Sequence, residues 1–239
     1  MTYNLCIDIG NTKIKSGIFR NNSLIELIFG LDELLEKISR QYQIKNCIIS
    51  STRKTIPQNI KKIKYITENF IILSDKINLP IKIDYSTPKT LGRDRIAAAI
   101  GANSLFPNQN CIVIDAGTCI TYDFVDKKNI FRGGNISPGI YMRLKAMHDY
   151  TSNLPLVDLV VNDNILGKST EEALQNGAIR GTFLEISSFI QLILDKYGSS
   201  NVIFTGGDAK YFVNYFKSAI FADQNLVLVG LNEIIKKYE

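Results

Sequence analysis

The sequence holds a single histidine, His148, among 239 residues. Ser-His-Asp catalysis and multi-histidine zinc chemistry therefore have little to stand on. His148 itself follows an apolar helical stretch, where a structural role is expected. The four cysteines, at 6, 47, 111 and 119, form no CxxC pair and lack the spacing of a disulfide scaffold. Three of them lie in or beside apolar, strand-like runs, where cysteine serves as a small buried hydrophobe, and all four are read as reduced thiols. No run approaches the about 20 apolar residues that span a bilayer. The opening "YNLCIDIG" is broken by Asp8 and carries no basic segment followed by a long apolar one. A dense basic block is also missing: the net charge of +5 is mild, and lysines are scattered, as in "IKKIKY" and "EIIKKYE". Solvated faces explain them better than a nucleic-acid stripe. The expectation is a soluble cytoplasmic protein that uses neither nucleic acid nor membrane.

One further absence concerns phosphate binding. "GKST" (167–170) spells the tail of a P-loop, but the loop-shaping glycine five positions earlier is replaced by Asn162, and "DNIL" between them holds no glycine. Without it the backbone N–H groups cannot wrap a phosphate, so the P-loop is rejected.

What is present is an internal repeat. "LCIDIGNTKIKSGIF" (5–19) and "CIVIDAGTCITYDFV" (111–125) each run from an apolar strand through Asp, Gly and Thr into a second alternating segment. A polar turn, "RNNS" (20–23) or "DKKN" (126–129), then leads to a third extended segment, which reads as a β-meander. Asp8 and Asp115 stand 107 positions apart, so each copy heads a half the size of a small domain. The spacing predicts helices over 32–42, 92–106 and 209–220, one long helix or two joined ones over 171–198, and strands over 46–50, 70–74 and 201–205. Strand clusters followed by helices, twice over, predict a pseudo-twofold α/β protein with halves 1–110 and 111–239 and a cleft between them. No linker is rich in Pro, Gly or Ser, so the halves are expected to be tightly joined.

The duplicated turns are the better phosphate site. Gly10 permits a tight bend, Asn11 and Thr12 offer donors, and Lys13 and Lys15 alternate onto one face of the return strand. Asp8 repels phosphate, so its expected task is to hold Mg²⁺, directly or through water. "DAGT" repeats the device with Asp115, Gly117 and Thr118, and "TGGDA" (205–209) adds a third Gly-rich turn.

Taken together, "DIGNTKIK" (8–15), "YSTPKTLGRDR" (85–95), "DAGTCITYDF" (115–124), "GGNISPGI" (133–140), "TSNLP" (151–155), "GKST" and "TGGDA" occur in an order that resembles the type III pantothenate kinases. These belong to the superfamily of acetate and sugar kinases, heat-shock chaperones and actin. The resemblance covers nearly the whole chain. It implies a duplicated ribonuclease H-like (actin-like) α/β fold, two halves each with a mixed β-sheet flanked by helices. It also implies transfer of the ATP γ-phosphate to pantothenate, opening coenzyme A biosynthesis. By the same resemblance, Asp8, Ile9, Gly10, Asn11, Thr12, Lys13, Ile14, Lys15 and Thr118 contact ATP, and Asp94 is the catalytic base. Pantothenate falls to Tyr85, Gly92, Arg93, Asp94, Arg95 and Thr170. Asp115 is associated with a monovalent cation, K⁺ or NH₄⁺, and the enzyme is a homodimer. Arg93 departs from the pattern, standing where a small or apolar residue is more usual, and either points to solvent or alters the pocket entrance.

Phosphoryl transfer rests on alignment and charge neutralisation, with a carboxylate orienting the attacking hydroxyl. Asp94 beside two arginines at a helix start suits that task, while Arg95 can bind an anion through its planar fork. Two other readings stay open at this point. One is another small-molecule kinase on the same scaffold, and the other is a nucleotide-binding regulator without kinase activity. Asp94 argues against the second, because a pure binding module needs no aligned base.

Overall fold

In the computed structural model, which describes residues 2–161, 164–213, 216 and 220–238, the elements follow one another as strands and helices in two clusters. First come β1 (Tyr3–Ile9), β2 (Ile14–Arg20), β3 (Ser23–Phe29), α1 (Leu31–Arg40), β4 (Ile44–Ser51), α2 (Gln58–Lys61), β5 (Asn69–Ile72), β6 (Lys82–Ile83) and α3 (Arg93–Leu105). Then come β7 (Cys111–Ala116), β8 (Cys119–Asp126), β9 (Ile130–Pro138), α4 (Ile140–Asp149), α5 (Thr170–Tyr197), β10 (Asn201–Thr205), α6 (Lys210–Val213), β11 (Ile220–Ala222) and α7 (Leu226–Ile235). Two compact units form. One comprises Met1–Gln109, Val125–Gly133 and Asn225–Glu239, the other Asn110–Phe124 and Gly134–Gln224. The first unit thus takes residues 125–133 and 225–239 from beyond the 110/111 boundary that the repeat suggests.

In the first unit, β1, β2 and β3 pair antiparallel as the expected meander, and β4 and β5 add parallel to β1, giving the order β3-β2-β1-β4-β5. Successive side chains of a strand point to opposite faces, and here both faces are covered. Leu5, Ile7, Ile9, Cys47 and Ile49 pack with Leu34 and Ile38 of α1. The intervening Cys6 and Ile48 pack with Ile96 and Ile100 of α3 and with Leu228 and Leu231 of α7. That doubled burial explains why β1 and β4 read as near-continuous apolar runs. α3 and α7 lie backbone against backbone: a Cβ at Gly230 would overlap the carbonyl oxygen of Ala97, and one at Gly101 would overlap that of Leu226. A buried amide ladder adds direction to the packing. Asn46 donates to Asn4 (2.8 Å), Asn69 to Asn46 (2.8 Å), Asn4 to Asn232 of α7 (3.3 Å), and Asn232 to the Asn21 carbonyl (2.8 Å).

In the second unit, β10 lies parallel to both β7 and β11, and β7 is followed in the sheet by β8 and β9. α5 is one continuous helix of 28 residues. By length and composition it could cross a membrane, but Leu174, Ala178, Ile179, Ile186 and Ile190 pack into the core of this unit with β7, β8, β10 and α4. Its start explains "GKST": Ser169 accepts from the Glu172 N–H (3.2 Å), and Glu172 returns to the Lys168 N–H (2.7 Å). This reciprocal cap satisfies orphan donors of the first turn. Of the helix expected over 209–220, α6 is described over Lys210–Val213, residues 214, 215 and 217–219 lie outside the described residues, and Ile220 begins a strand whose backbone pairs with β10 at Val202. Pairing to a sheet edge overrides local helical preference there.

Candidate active site

Asp8 lies at the end of β1, opposite Lys15 on β2 and beside Ser50 on β4 in the strand register. The chain then bends through residues 10–13, closed by a hydrogen bond from the Gly10 N–H to the Lys13 carbonyl (3.0 Å). Asn11, Thr12 and Lys13 are exposed at the tip. The bend is braced by Arg53, which follows β4 and donates from Nε to the Gly10 carbonyl (2.7 Å) and from Nη2 to that of Asn11 (3.3 Å). Sequence reading misses Arg53, since no local pattern links residue 53 to residue 10. The link exists because β1 and β4 run parallel in register, so both strand ends arrive at the same edge.

The electrostatics of this corner are uneven. Burial pushes the Asp8 carboxyl up from 3.8 to about 7, and the nearby charge of Asp94 pushes the same way, while Ser50 and Lys15 pull it down. Asp8 Oδ1 is shielded from water and makes no hydrogen bond of good geometry; the Ser50 hydroxyl lies near enough to lower the carboxyl but outside hydrogen-bond geometry. A bare buried carboxylate oxygen that feels the charge of a second carboxylate makes a place for a proton or a hard cation.

Asp94 sits in the first turn of α3 with its Oδ1 accepting from the Arg95 N–H (2.9 Å). Gly92 precedes the helix, and a Cβ there would come within 2.6 Å of Asp94 Oδ1, so glycine keeps room for the carboxylate. Arg95 is buried, its guanidinium 5.9 Å from the Phe131 ring, and Tyr85 meets the same ring edge-on at 6.2 Å. Tyr85, Gly92, Asp94 and Arg95 are thereby gathered at one end of α3, with Phe131 a shared support that sequence reading did not single out. Arg93 turns elsewhere. It donates to the Lys89 carbonyl (3.2 Å), stands 3.9 Å from Asp75, and lines a separate cavity of about 580 Å³ with Ile77, Leu79 and Ile96. Neither Asp94, Arg95 nor Tyr85 lines that cavity.

In the second unit, residues 115–118 form the other turn, closed by the Gly117 N–H on the Cys119 carbonyl (3.0 Å) and leaving Thr118 exposed. Two loops press on it. Gly206, at φ 88°, brings its backbone against Ala116 and the Asp115 carboxylate, and the Asp208 N–H donates to the Ala116 carbonyl (2.9 Å). The Gly139 N–H donates to the Thr118 carbonyl (3.1 Å). Thr170 is the exposed first residue of α5. His148 holds the Leu154 carbonyl through Nδ1 (2.8 Å), a structural role, and among the described residues no three His, Cys, Asp or Glu side chains cluster as metal ligands.

Comparison with known proteins bears directly on this arrangement. The type III pantothenate kinase family matches residues 4–192. A type III pantothenate kinase of Phocaeicola vulgatus is 42% identical over 238 residues, covering 97% of each chain. A solved Baf family protein from Campylobacter jejuni superposes with a TM-score of 0.64 at 26% identity, covering 98% of both chains. A ROK family glucokinase from Streptomyces griseus, solved with glucose and AMPPNP, shares the fold (TM-score 0.56, 13% identity, 98% of this chain and 99% of that one). With two mixed sheets flanked by helices and these likenesses, the fold is the duplicated ribonuclease H-like one. On its sequence match and its architecture together, the chain belongs to the type III pantothenate kinase family.

Proposed function

We propose that in this ATP-dependent pantothenate kinase Asp94 is the general base. The pantothenate primary hydroxyl gives its proton to the Asp94 carboxylate as its oxygen bonds to the γ-phosphorus. The bond from that phosphorus to the bridging β,γ-oxygen breaks, and ADP and 4'-phosphopantothenate leave. Arg95 holds the anionic acceptor through its fork, with Tyr85, Gly92 and Thr170 completing the pantothenate contacts. Arg93, drawn toward Asp75, acts at most on the entrance. The bend around Gly10, with Asn11, Thr12, Lys13 and Lys15 and the flanking Ile9 and Ile14, takes the ATP phosphates, and Thr118 contacts ATP as well.

The observation that most supports this reading is that the charge of Asp94 adds to burial in raising the Asp8 carboxyl, as expected if the phosphate turn and the base lie near each other. Asp8 fits Mg²⁺: a bare, shielded Oδ1 near a second carboxylate is a hard-oxygen donor set short of one positive charge. When bound there, Mg²⁺ screens the phosphate charge. Asp115, whose carboxylate faces the Gly206 backbone as the Ala116 carbonyl does, offers the oxygen donors a monovalent cation takes, K⁺ or NH₄⁺. A homodimer is supported by exposed apolar side chains of the second unit, among them Ile136, Tyr141, Leu184 and Leu192. We place the enzyme in the cytoplasm, acting on small molecules rather than on nucleic acid or membrane.

The test is ADP release with and without pantothenate, Mg²⁺ and K⁺. Release that depends on pantothenate and disappears in Asp94→Asn, with ATP binding retained by calorimetry, is the expected result. Full turnover in Asp94→Asn refutes the assignment of the base.

A further inference from the structure

The turn at 115–118 is held by more than its own closing hydrogen bond: its Thr118 carbonyl is tied to Gly139, and a Cβ at Gly139 would overlap the Gly117 carbonyl oxygen and come within 2.6 Å of that of Thr118. Residues 137–139 are therefore a backbone brace laid on the turn. What aims the brace is a set of side chains from three other elements. Arg143 of α4 donates from Nε to the Pro138 carbonyl (2.9 Å) and from Nη2 to Ser137 Oγ (3.3 Å). The Tyr122 hydroxyl of β8, almost wholly buried, lies 3.2 Å from the same Ser137 Oγ. Both grips converge on one carboxylate. Glu185, midway along α5, accepts from Arg143 Nη2 at Oε2 (2.6 Å) and from the Tyr122 hydroxyl at Oε1 (2.6 Å).

We infer that Glu185 is a positioning residue for the nucleotide: through Arg143, Tyr122 and residues 137–139 it sets the orientation of the 115–118 turn. The inference rests on the reading above that Thr118 contacts ATP. Glu185 belongs to none of the motifs that mark the site, and it touches none of the expected ligand-contacting residues. Its distance from them is bridged by short, mutually aligned bonds between rigid elements, which is how an outer residue transmits geometry. Burial pushes the Glu185 carboxyl up, but hydrogen bonds from Tyr122, Ser137 and Arg143 outweigh it and hold the acid below its usual range, so it stays charged and keeps both grips at working pH.

Three variants test this by steady-state kinetics and thermal unfolding. In Glu185→Gln, which keeps shape but removes the charge facing Arg143, the KM for ATP rises about tenfold while kcat and the KM for pantothenate stay within about twofold. Tyr122→Phe, which deletes only a hydroxyl, gives a smaller rise of the same kind and carries the test should Glu185→Gln not fold. Thr118→Val reports on the nucleotide contact itself and raises the KM for ATP at least as much. A purely structural Glu185 gives a different signature, lower melting temperature and lower kcat with both KM values unmoved, and that result overturns the inference. So does an ATP KM unmoved in Glu185→Gln and Tyr122→Phe but raised in Thr118→Val. An unmoved ATP KM in Thr118→Val removes the nucleotide assignment and the inference with it.

Discussion

Asp8 concentrates the residue-scale physics. Its carboxyl is raised to about 7 in the folded chain against 3.8 ordinarily, so the folded state binds the proton more tightly than the unfolded state does. The linkage sign follows: the stability of the ligand-free protein is full below about pH 4, falls as pH rises, and levels off once pH passes about 7. Asp8→Asn should remove that slope and make the ligand-free protein more stable at pH 8, by an amount on the order of a few kcal/mol at most. Urea unfolding at pH 5 and pH 8 measures it. A cation competes with the same proton, so the Mg²⁺ concentration for half-maximal turnover should climb as pH drops below about 7. An unchanged Mg²⁺ requirement between pH 6 and 8 would detach Asp8 from the metal. Arg53 acts at the same scale. Arg53→Ala frees the Gly10 and Asn11 carbonyls and should raise the KM for ATP several-fold, about the loss of one or two charge-assisted hydrogen bonds, leaving the KM for pantothenate in place.

Among the elements, the contact between α3 and α7 governs the base. α3 carries Asp94 and Arg95 at one end, and its alanine-rich face is pressed on α7 so closely that Gly230 has no room for a methyl group. Gly230→Ala gains helix propensity of up to about 1 kcal/mol, yet forces the helices apart at a typical overpacking cost of about 1–3 kcal/mol. The steric term is the larger, so a net loss is expected in the denaturation midpoint. The amide ladder makes a second element-scale prediction. Asn46→Ala takes one hydrogen bond from Asn4 and one from Asn69, each of which keeps another, and a buried hydrogen bond lost costs about 0.5–1.5 kcal/mol. Stability unchanged in Asn46→Ala would mean that the ladder contributes nothing beyond what an apolar residue offers.

For the molecule as a whole, the two compact units are not consecutive pieces of chain. The last segment, α7, joins the first unit because nearly all of its residues are buried there, including Leu226, Leu228, Leu231, Ile234 and Ile235. The second unit leaves apolar side chains of α5 in water, with Leu184 57% and Leu192 66% exposed. If the proposed homodimer forms through this helix, these side chains are buried in it. Leu184→Glu with Leu192→Glu should convert a sedimenting dimer to a monomer without loss of helical content. A wild-type chain that sediments as a monomer at micromolar concentration rejects the homodimer.

Much of this was legible from residues alone, for a physical reason. Alternation of apolar residues and turn chemistry at Gly10 and Gly117 are local, so β1 to β3, α3, α5 and the strand entering Gly206 could be read from the string, whereas the cap at Ser169 appeared only in the structure. So could the ordered motifs that place the chain in its family. Tertiary structure decided what depends on neighbours distant along the chain. The parallel register of β1 and β4 brings Arg53 to the Gly10 bend, and burial, with the charge of Asp94 adding to it, raises Asp8. Arg93 is separated from Arg95 because successive helical positions face different directions. Ile220 becomes a strand because β10 offers an edge, and Glu185 gains meaning only where α4, α5 and β8 meet. Local chemistry is written in short stretches of sequence, whereas desolvation and charge coupling arise only after folding has chosen which stretches touch.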